Sequence, residues 1–509
     1  MYKIEVYNNH IEVNGYLVGE NEKLEKYFTI WDTANHCYNY KFISYDSKTR
    51  KLYLPRGLDV NFIESTFGGV KAHFNSSSDC DGFAKNKVPM MLKHPPRNDK
   101  QKETIMFLTG QGKYDYTKNF SQSLIALGTG NGKTYLSIFY MALLNIKTIV
   151  ITSNKDWLRQ WRDEIIFHSN IDSKSIHLIS GGSEIKFMIN RKKEELADRY
   201  NIYLVTHATL ASFSKQYGGE AIHKLFQHLG IGLKIFDEVH QDFDSVCNID
   251  FHTNTYKTLY LSATPGRGND EEHRIFKLYF KNVPSIDLFD PEEDPRTNYI
   301  AFLYRSDIDP IKLSRCYNFH GFNKMIYADY VMQLPNFYKI IMIIMDVISN
   351  IRGKKLFFLS TNESIMIFKD WLEANYFEYR NRVGIYTSIN STKKEALNFP
   401  IILTTSKSAG AALDIEGLAV TINLLEPTKS KIANQQRLGR TRGRNTFYID
   451  LVDCDNRSCV QYYYKNLPMF NEQCLSVRKI EFDQESLDER SSEIKNRRET
   501  VGISPFIKC

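Results

Sequence analysis

The residues with the clearest chemistry lie in one glycine-rich stretch, SLIALGTGNGKTY, from Ser123 to Tyr135. An apolar run that predicts a buried strand is followed by glycines that allow a tight turn, and then by a lysine and a threonine. Such a loop binds phosphate through its backbone amides and the positive end of the next helix. Lys133 is predicted to reach the β- and γ-phosphates of ATP, and Thr134 to hold Mg²⁺. The predicted nucleotide-binding residues of the loop are Gly128, Thr129, Gly130, Asn131, Gly132, Lys133 and Thr134.

The loop departs from the strict GxxxxGK[ST] pattern at one position, where Leu127 replaces the first glycine. The form present is GTGxGKT, which keeps the glycines nearest the phosphates. The alternative is a glycine-rich turn before an ordinary helix. The strand, the GKT and the helix-length segment after it favour phosphate binding.

An acidic pair follows a second apolar run, in the sequence IFDEVH. Asp237 is predicted to hold Mg²⁺ through water, and Glu238 to polarise the water that attacks the γ-phosphate. A lone acidic pair after a strand is common and means little. Here the next predicted strand ends in SATP, beginning at Ser262. The phosphate loop, the acidic pair and this third segment together predict a nucleotide hydrolase.

Composition and periodicity predict the elements that carry these residues. The chain has 509 residues, 42% of them hydrophobic, which is enough for about three domains. Apolar strands alternate with helix-length segments in two successive regions, as in parallel sheets with crossover helices. An acidic connection at residues 287–297 separates the two regions. The predicted strands are 124–126, 148–152, 176–179, 202–205, 233–236 and 258–261 in the first region, and 355–359, 383–386, 401–404, 420–423 and 447–451 in the second. The predicted fold is α/β, with two tandem parallel-sheet domains after a small α+β domain. The predicted boundaries are 1–85 for the small domain, 86–285 and 286–460 for the two sheets, and 461–509 for a charged tail.

The net charge and the cysteine pattern indicate which partners and which cellular compartment are compatible with the sequence. The net charge of +7 suits a groove that holds a nucleic-acid backbone, and aromatic and basic residues of the first domain could face DNA, although a solvated sheet face explains them equally well. The eight cysteines form no CxxC pair, which argues against a zinc ribbon and a disulfide framework. We find no apolar run long enough to span a membrane. A cytoplasmic location, that of the host cell for a viral protein, is predicted.

GTGNGKT, DEVH and SATP, in this order, resemble motifs I, II and III of superfamily 2 helicases and translocases. The resemblance covers about residues 97–452 and implies that the two predicted sheets are RecA-like domains. It identifies Gln101 with the glutamine that reads the adenine edge of ATP. The alternative for Gln101 is a surface glutamine on a helix.

The resemblance also implies a set of residues that contact the nucleic-acid backbone. Segments around residues 151–161, 206–207, 357–361, 384–387 and 401–418 match further motifs of the superfamily. Hydroxyl and amide side chains suit this role because they bind phosphate oxygens without reading sequence. The alternative for each one is a helix cap. The implied contact residues are Thr152, Ser153, Asn154, Thr206, His207, Ser360, Thr361, Thr387, Thr404 and Thr405.

The segment QQRLGRTRGR resembles motif VI, whose arginines stabilise charge on the γ-phosphate. In the QRxGRxxR spacing, Gln436, Arg437 and Arg440 match, and the last position is Gly443, between Arg442 and Arg444. Gln436 and Arg440 are predicted to be catalytic, and Arg437 and Arg440 to bind ATP. In the preceding motif, Asp414 is predicted to reach the ribose.

Within the superfamily, the layout is similar to the UvsW group of phage branched-DNA helicases. The resemblance implies an ATP- and Mg²⁺-dependent DNA helicase or translocase, acting as a monomer and without sequence preference on forks and recombination intermediates. The resemblance implies that the protein acts in replication, recombination or repair and catalyses branch migration. Two alternatives stay open: a viral RNA or transcription-associated helicase, and a nucleic-acid-binding component with a vestigial ATPase.

Overall fold

The computed structural model describes residues 2–32, 37–40, 42–75, 83–128, 132–191, 199–262, 270–288, 297–319, 321–387, 390, 395–409, 415–441 and 445–500. The chain divides into two compact units, Met1–Phe289 and Asp290–Cys509. The first unit contains the N-terminal region and one parallel sheet, and the second contains another parallel sheet. The predicted α/β fold with a small N-terminal domain is confirmed.

The N-terminal region is built on a five-stranded sheet of order β5-β6-β2-β1-β7. Its strands are β1 (Lys3–Val6), β2 (His10–Asn14), β3 (Thr29–Asp32), β4 (Cys37–Tyr40), β5 (Ser44–Asp46), β6 (Lys51–Pro55) and β7 (Ala72–Phe74), and its helices are α1 (Glu22–Tyr27) and α2 (Val60–Thr66). Strands β3 and β4 pair separately. An asparagine at the start of α1 and an aspartate at the start of α2 accept backbone hydrogen bonds, which explains where both helices begin.

The turn between β1 and β2 fastens this sheet to the first parallel sheet. The side chain of Asn9 donates to Thr258 Oγ1 at 2.5 Å and accepts from the backbone N–H of Thr255 at 2.7 Å. Apolar residues of both sheets form one continuous core, in which Phe42 meets Phe243 at a ring-centroid distance of 4.6 Å. The N-terminal sheet therefore packs directly on the domain with the phosphate loop.

The first parallel sheet has the strand order β10-β11-β9-β12-β13-β8-β14. Its strands are β8 (Gln122–Ala126), β9 (Thr148–Thr152), β10 (Ile176–Leu178), β11 (Ile202–Thr206), β12 (Leu233–Phe236), β13 (Lys257–Ser262) and β14 (Ser285–Ile286). The α-helices described here are α3 (Asp99–Thr109), α4 (Lys133–Leu144), α5 (Lys155–His168), α6 (Gly182–Ile189), α7 (His207–Tyr217), α8 (Gly219–Leu229), α9 (Phe243–Phe251) and α10 (Asp270–Tyr279), with 3-10 turns at Gly112–Asn119 and Ser173–Ser175. Parallel strands that are buried on both faces explain the nearly continuous apolar runs in the sequence.

The strand register brings the predicted motifs to one edge of this sheet. Ala126 pairs with Ser262, and Thr152 pairs with Thr206. Phe236, which precedes the acidic pair, pairs with Ile151. Because Ala126, Thr152, Thr206, Phe236 and Ser262 end parallel strands, the loops that follow them share the carboxyl edge, where ligands bind in such folds.

The second unit has a parallel sheet of order β19-β20-β18-β21-β22-β15-β23. The strands of this unit are β15 (Asn298–Tyr304), β16 (Tyr317–Asn318), β17 (Gly321–Phe322), β18 (Lys354–Phe358), β19 (Val383–Tyr386), β20 (Ile401–Thr404), β21 (Leu418–Asn423), β22 (Phe447–Asp453) and β23 (Ser476–Glu481). Strands β16 and β17 pair with each other as a separate antiparallel sheet. The α-helices described here are α11 (Pro310–Arg315), α12 (Lys324–Val331), α13 (Pro335–Ser349), α14 (Asn362–Asn375), α15 (Ser406–Ala409), α16 (Lys431–Leu438), α17 (Arg457–Gln473) and α18 (Gln484–Thr500), with 3-10 turns at Phe377–Tyr379 and Glu395–Asn398.

Two strands of this sheet lie outside the predicted alternation. β15 follows the acidic connection, and β23 lies within the predicted tail, yet the two strands pair in parallel over six residues. The predicted boundary at residue 460 falls inside α17. The last helix, α18, packs on α13, with Lys339 Nζ 2.5 Å from Asp488 Oδ1. Residues 461–500 are thus part of the second unit.

In the described part of the chain, no single helix has both the length and the apolar composition needed to cross a membrane; one pair, α12 with α13, reaches them jointly but is bent by 88°.

Candidate nucleotide-binding and catalytic site

The phosphate loop joins β8 to α4 at the carboxyl edge of the first sheet. Gly132 has a φ of 81°, a left-handed conformation that favours glycine, and α4 begins at the next residue. The Lys133 ammonium donates to the carbonyl oxygen of Leu127 at 2.9 Å. Thr134 is the second residue of the helix and is half-buried. The predicted loop residues Thr129, Gly130 and Asn131 lie outside the described residues.

Gln101 lies against the phosphate loop. It is buried in the first turn of α3, where its carboxamide oxygen accepts the backbone N–H of Arg97 at 2.8 Å. A Cβ atom added at Gly132 would overlap Gln101 Nε2. The residue is therefore not on the surface, as the alternative interpretation required, and its amide group is next to the loop.

The acidic pair directly follows β12 and faces the same loop. Glu238 is buried, and its Oε1 lies 3.9 Å from Lys133 Nζ. Its φ of 50° is left-handed, which is uncommon for a residue other than glycine and costs of the order of 1–3 kcal/mol. Sites of function often retain this kind of strain because it fixes the direction of a side chain. Here the left-handed turn holds the second carboxylate of the pair near the lysine.

The charges around Asp237 fit a divalent cation. Burial raises the pKa of the Asp237 carboxyl to about 6, and the Glu238 carboxylate acts in the same direction. Two carboxylates here face one lysine, so a bound cation would offset the excess negative charge. Among the described residues, no three His, Cys, Asp or Glu side chains group around a potential metal site. This set suits Mg²⁺, which uses one or two carboxylates together with substrate phosphates and water.

Sequence reasoning did not identify Trp161 as part of the site. Its indole Nε1 donates to Asp237 Oδ2 at 2.8 Å, and the ring is buried in α5. The hydrogen bond opposes the effect of burial by lowering the carboxyl pKa. Trp161 therefore orients one oxygen of the predicted metal ligand and favours its charged form.

We expect Trp161→Phe to weaken the binding of Mg²⁺ at Asp237 rather than to unfold the domain. A hydrogen bond to a charged group is worth about 1.5–3 kcal/mol, so its loss should raise the Asp237 pKa by about one to two units. Protons compete with Mg²⁺ for the carboxylate, and ATPase activity should therefore fall below about pH 6 in the wild type and at a higher pH in the variant. The pH profile of ATP hydrolysis at limiting Mg²⁺ measures this.

Trp157→Phe is the matched control for this prediction. Trp157 is a buried tryptophan one turn earlier on α5, and its indole N–H forms no hydrogen bond within the described residues. Its replacement should leave the acidic limb of the profile in place. Equal pH profiles for the two variants would contradict a role for the Trp161 hydrogen bond.

The end of β13 connects to the acidic pair through a histidine. His240 Nδ1 lies 2.8 Å from Ser262 Oγ and 3.4 Å from Glu238 Oε2, and all three residues are buried. The first residue of the predicted SATP segment is thereby linked to the predicted catalytic glutamate. The rest of that segment, Ala263, Thr264 and Pro265, lies outside the described residues.

The predicted nucleic-acid contacts of the first unit end strands at the same edge. Asn154 and Thr206 are helix caps, which accept backbone N–H groups of Trp157 and Thr209 at 3.1 and 3.3 Å. Thr152 and His207 are buried. The His207 ring stacks on Phe236, and burial lowers its pKa to about 4, so it is neutral at physiological pH. Ser153 is half-buried, and its hydroxyl is enclosed.

The corresponding residues of the second unit show the same pattern. Thr361 caps α14 in a capping box, and Thr405 Oγ1 accepts the backbone N–H of Ser408 at 3.2 Å. Thr387 and Thr404 are buried, and Ser360 donates to the carbonyl oxygen of Leu425. Capping explains the residue types at Asn154, Thr206, Thr361 and Thr405, and the contacts of all these residues with nucleic acid stay predictions.

The predicted arginines lie in and just after α16. Arg437 is buried against Glu426, with Nη2 2.9 Å from Oε2, and it also donates to Ser406 Oγ at 2.7 and 2.9 Å. Its guanidinium is thus engaged within the second unit. Arg440 is mostly buried and approaches the carbonyl oxygen of Ala409 at 3.4 Å, and Gln436 is half-buried. The predicted residues Asp414, Arg442 and Arg444 lie outside the described residues.

Several known proteins are similar to part of this chain. Residues 94–267 match the family model described as type III restriction enzyme, res subunit. The protein named putative DNA 3'-5' helicase Rad25 from Haloarcula marismortui is 27% identical over 195 residues, which are 36% of this chain and 28% of that protein. DNA 3'-5' helicase XPB from Mycobacterium tuberculosis is 27% identical over 156 residues, 30% of this chain and 26% of the relative. The match spans about a quarter of the length of these relatives.

Two solved structures are also similar. That of S. cerevisiae Dbp5 bound to RNA and ADP BeF3 has a TM-score of 0.48 at 15% identity, covering 78% of this chain and 97% of that one. The crystal structure of T4 UvsW has a TM-score of 0.34 at 12% identity, covering 94% of this chain and 99% of that one.

Proposed function

We propose that this chain is a superfamily 2 helicase, an ATP-driven DNA helicase or translocase that remodels branched DNA. Forks and recombination intermediates in phage replication, recombination or repair are the proposed substrates. The names of the curated relatives favour DNA over RNA and favour movement from 3′ to 5′. A monomer acting in the cytoplasm of the host cell completes the proposal.

One observation carries the proposal. Lys133 of the phosphate loop lies 3.9 Å from Glu238, whose neighbour Asp237 receives the Trp161 hydrogen bond. Three groups that are separate in sequence therefore converge at one sheet edge, with Gln101 against the loop. A chain with a vestigial ATPase would have no need to keep these groups buried and oriented.

The residues present fit ATP and Mg²⁺ in the following way. The loop amides and Lys133 would hold the phosphates, and Gln101 would face the base. Thr134 and Asp237 would hold Mg²⁺, which neutralises charge on the phosphates during transfer. Glu238 would accept a proton from the attacking water, and its contact with His240 keeps its carboxylate oriented.

The ATPase activity of the purified chain, with and without DNA, tests this function. We expect DNA to stimulate hydrolysis, and forked DNA to stimulate it more than linear duplex or single-stranded RNA. Lys133→Ala should lower the stimulated rate by about 10²-fold or more, because it removes a cation from the phosphates. An ATPase that ignores DNA, or one that Lys133→Ala leaves intact, would contradict the proposal.

The type of nucleic acid is tested on the same protein. Fork regression and unwinding on defined branched substrates should require ATP hydrolysis and should be absent with Lys133→Ala. Substrates with a single 3′ or 5′ tail report the direction of movement. Stronger stimulation by RNA than by any DNA would instead favour the RNA or transcription-associated alternative.

A further inference from the structure

A cleft lies between the N-terminal region and the first parallel-sheet domain. Helices α1 and α2 form one side and α10 forms the other, and the cleft has a volume of about 850 Å³. This size is within the range of small-molecule and nucleotide pockets, roughly 300–1,000 Å³. Arg274 Nη1 donates to the carbonyl oxygen of Tyr27 at 2.9 Å, which ties the two sides together. The residues of the nucleotide-hydrolysis site do not line it.

Two exposed aromatic rings lie at the wall of this cleft. Tyr27 is 45% exposed and Phe62 is 38% exposed, and their ring centroids are 5.9 Å apart at an interplanar angle of 84°. Single exposed apolar residues need no explanation, but two adjacent exposed rings at the wall of a cleft offer a surface for a ligand. The T-shaped arrangement leaves part of each ring free to stack on a planar ligand.

The charge of the cleft is positive. Lys23, Lys26 and Arg274 line it with one carboxylate, Glu271, so the lining carries a net charge of +2. Within the described residues, neither Lys23 nor Lys26 forms an ion pair. These cations are therefore available for an anionic ligand.

We propose that this cleft binds an unpaired nucleotide of the DNA on which the protein acts. The base would stack on Tyr27 or Phe62, and the lysines with Arg274 would contact the flanking phosphates. The combination of exposed rings and unpaired cations favours a nucleotide over an acidic peptide, which would use the cations alone. This inference rests on the proposed function, because it names a second contact for the same substrate. The contact would join the N-terminal region to the domain that hydrolyses ATP.

Binding of a fluorescein-labelled dT12 oligonucleotide, measured by anisotropy with the full chain, tests the cleft. Stacking on an aromatic side chain is worth about 1–3 kcal/mol per base, so Tyr27→Ala should weaken dT12 binding by about 5- to 150-fold. A blunt duplex has no unpaired base and should lose less than about twofold. Tyr27→Trp, which keeps a stacking surface, should bind dT12 like the wild type.

The salt dependence separates the cations from the rings. Each phosphate contact with single-stranded DNA contributes about 0.7 to the slope of log affinity against log salt. The double variant Lys23→Ala, Lys26→Ala should therefore reduce the slope by about 1.4. Phe377→Ala, which removes a ring that is 74% exposed in the second unit, is the matched control and should leave dT12 binding unchanged.

Three results would overturn the cleft proposal. The first is dT12 binding that is unchanged in both Tyr27→Ala and the lysine double variant. The second is an equal loss of affinity for dT12 and for blunt duplex in Tyr27→Ala. The third is displacement of dT12 by poly-glutamate at equal charge concentration. Thermal unfolding of each variant verifies that the exposed substitutions leave the fold intact. The assay uses no ATP, so its result is independent of the motor. If DNA stimulates ATP hydrolysis but dT12 binding does not depend on Tyr27, the cleft proposal alone is refuted. If dT12 binding depends on Tyr27 but DNA does not stimulate ATP hydrolysis, the proposed function alone is refuted.

Discussion

Replacing Glu238 with glutamine is expected to lower kcat for ATP hydrolysis by about 10²- to 10⁴-fold while ATP still binds. The carboxylate lies 3.9 Å from Lys133 Nζ and 3.4 Å from His240 Nδ1. Glutamine has nearly the same shape and can keep the left-handed turn, but its amide cannot take a proton from water. Single-turnover hydrolysis and equilibrium binding of a fluorescent ATP analogue measure the two effects separately.

Lys133→Ala is the informative comparison for this variant. That substitution removes a phosphate contact, so it should weaken nucleotide binding as well as hydrolysis, whereas Glu238→Gln should weaken hydrolysis alone. Both variants should keep the thermal stability of the wild type to within a few degrees. A Glu238→Gln protein that hydrolyses ATP within tenfold of the wild-type rate would remove Glu238 from its proposed role.

The sequence predicts the strands of the two sheets best where buried apolar runs end in motif residues. β8, β9 and β12 lie within two residues of their predicted positions, because a central parallel strand needs a continuous apolar run. β15 and β23 lie at the other side of the second sheet and were missed. β23 is an edge strand with exposed side chains, so its sequence, SVRKIE, has no buried run to reveal it.

In the candidate site as well, the sequence predicts some of the residues and not others. Lys133 and Asp237 are predicted from the residue types and spacing of a phosphate loop and of an acidic pair after a strand, and Gln101 from the resemblance to the superfamily; their roles stay predictions. The Trp161 contact could not be predicted, because any of several buried apolar residues on α5 could face the sheet. For Arg437, the sequence motif predicts contact with ATP but not the ion pair with Glu426 that the structure shows within the second unit. Ion pairs between distant residues leave no periodic signal in a sequence.

Lys234 is another residue whose partner the sequence does not reveal, and it leads to the second large prediction. It lies in the buried strand β12, and its ammonium is 2.6 Å from Asp250 Oδ1, with both side chains fully buried. Asp250 also accepts the hydroxyls of Tyr260 and Tyr279 at 2.6 and 2.7 Å. Burial lowers the pKa of Lys234, and the Asp250 charge opposes this shift. The pair thus lies in the core behind the catalytic edge.

We expect Asp250→Ala to destabilise the first unit by about 3–5 kcal/mol, because it leaves a buried ammonium without its counter-charge. The loss should appear as a lower midpoint of the first transition in urea unfolding, followed by circular dichroism. Any loss of ATPase activity should follow the unfolded fraction, since Asp250 contacts none of the nucleotide-site residues that the structure describes.

The double variant Lys234→Met, Asp250→Leu is the control that separates charge from packing. Replacing a buried ion pair by apolar residues of similar volume is often neutral or stabilising, although here the two tyrosine hydroxyls lose an acceptor. The double variant should therefore be more stable than Asp250→Ala. If it is as unstable as Asp250→Ala, the cost comes from the lost tyrosine hydrogen bonds and cavity rather than from the uncompensated lysine.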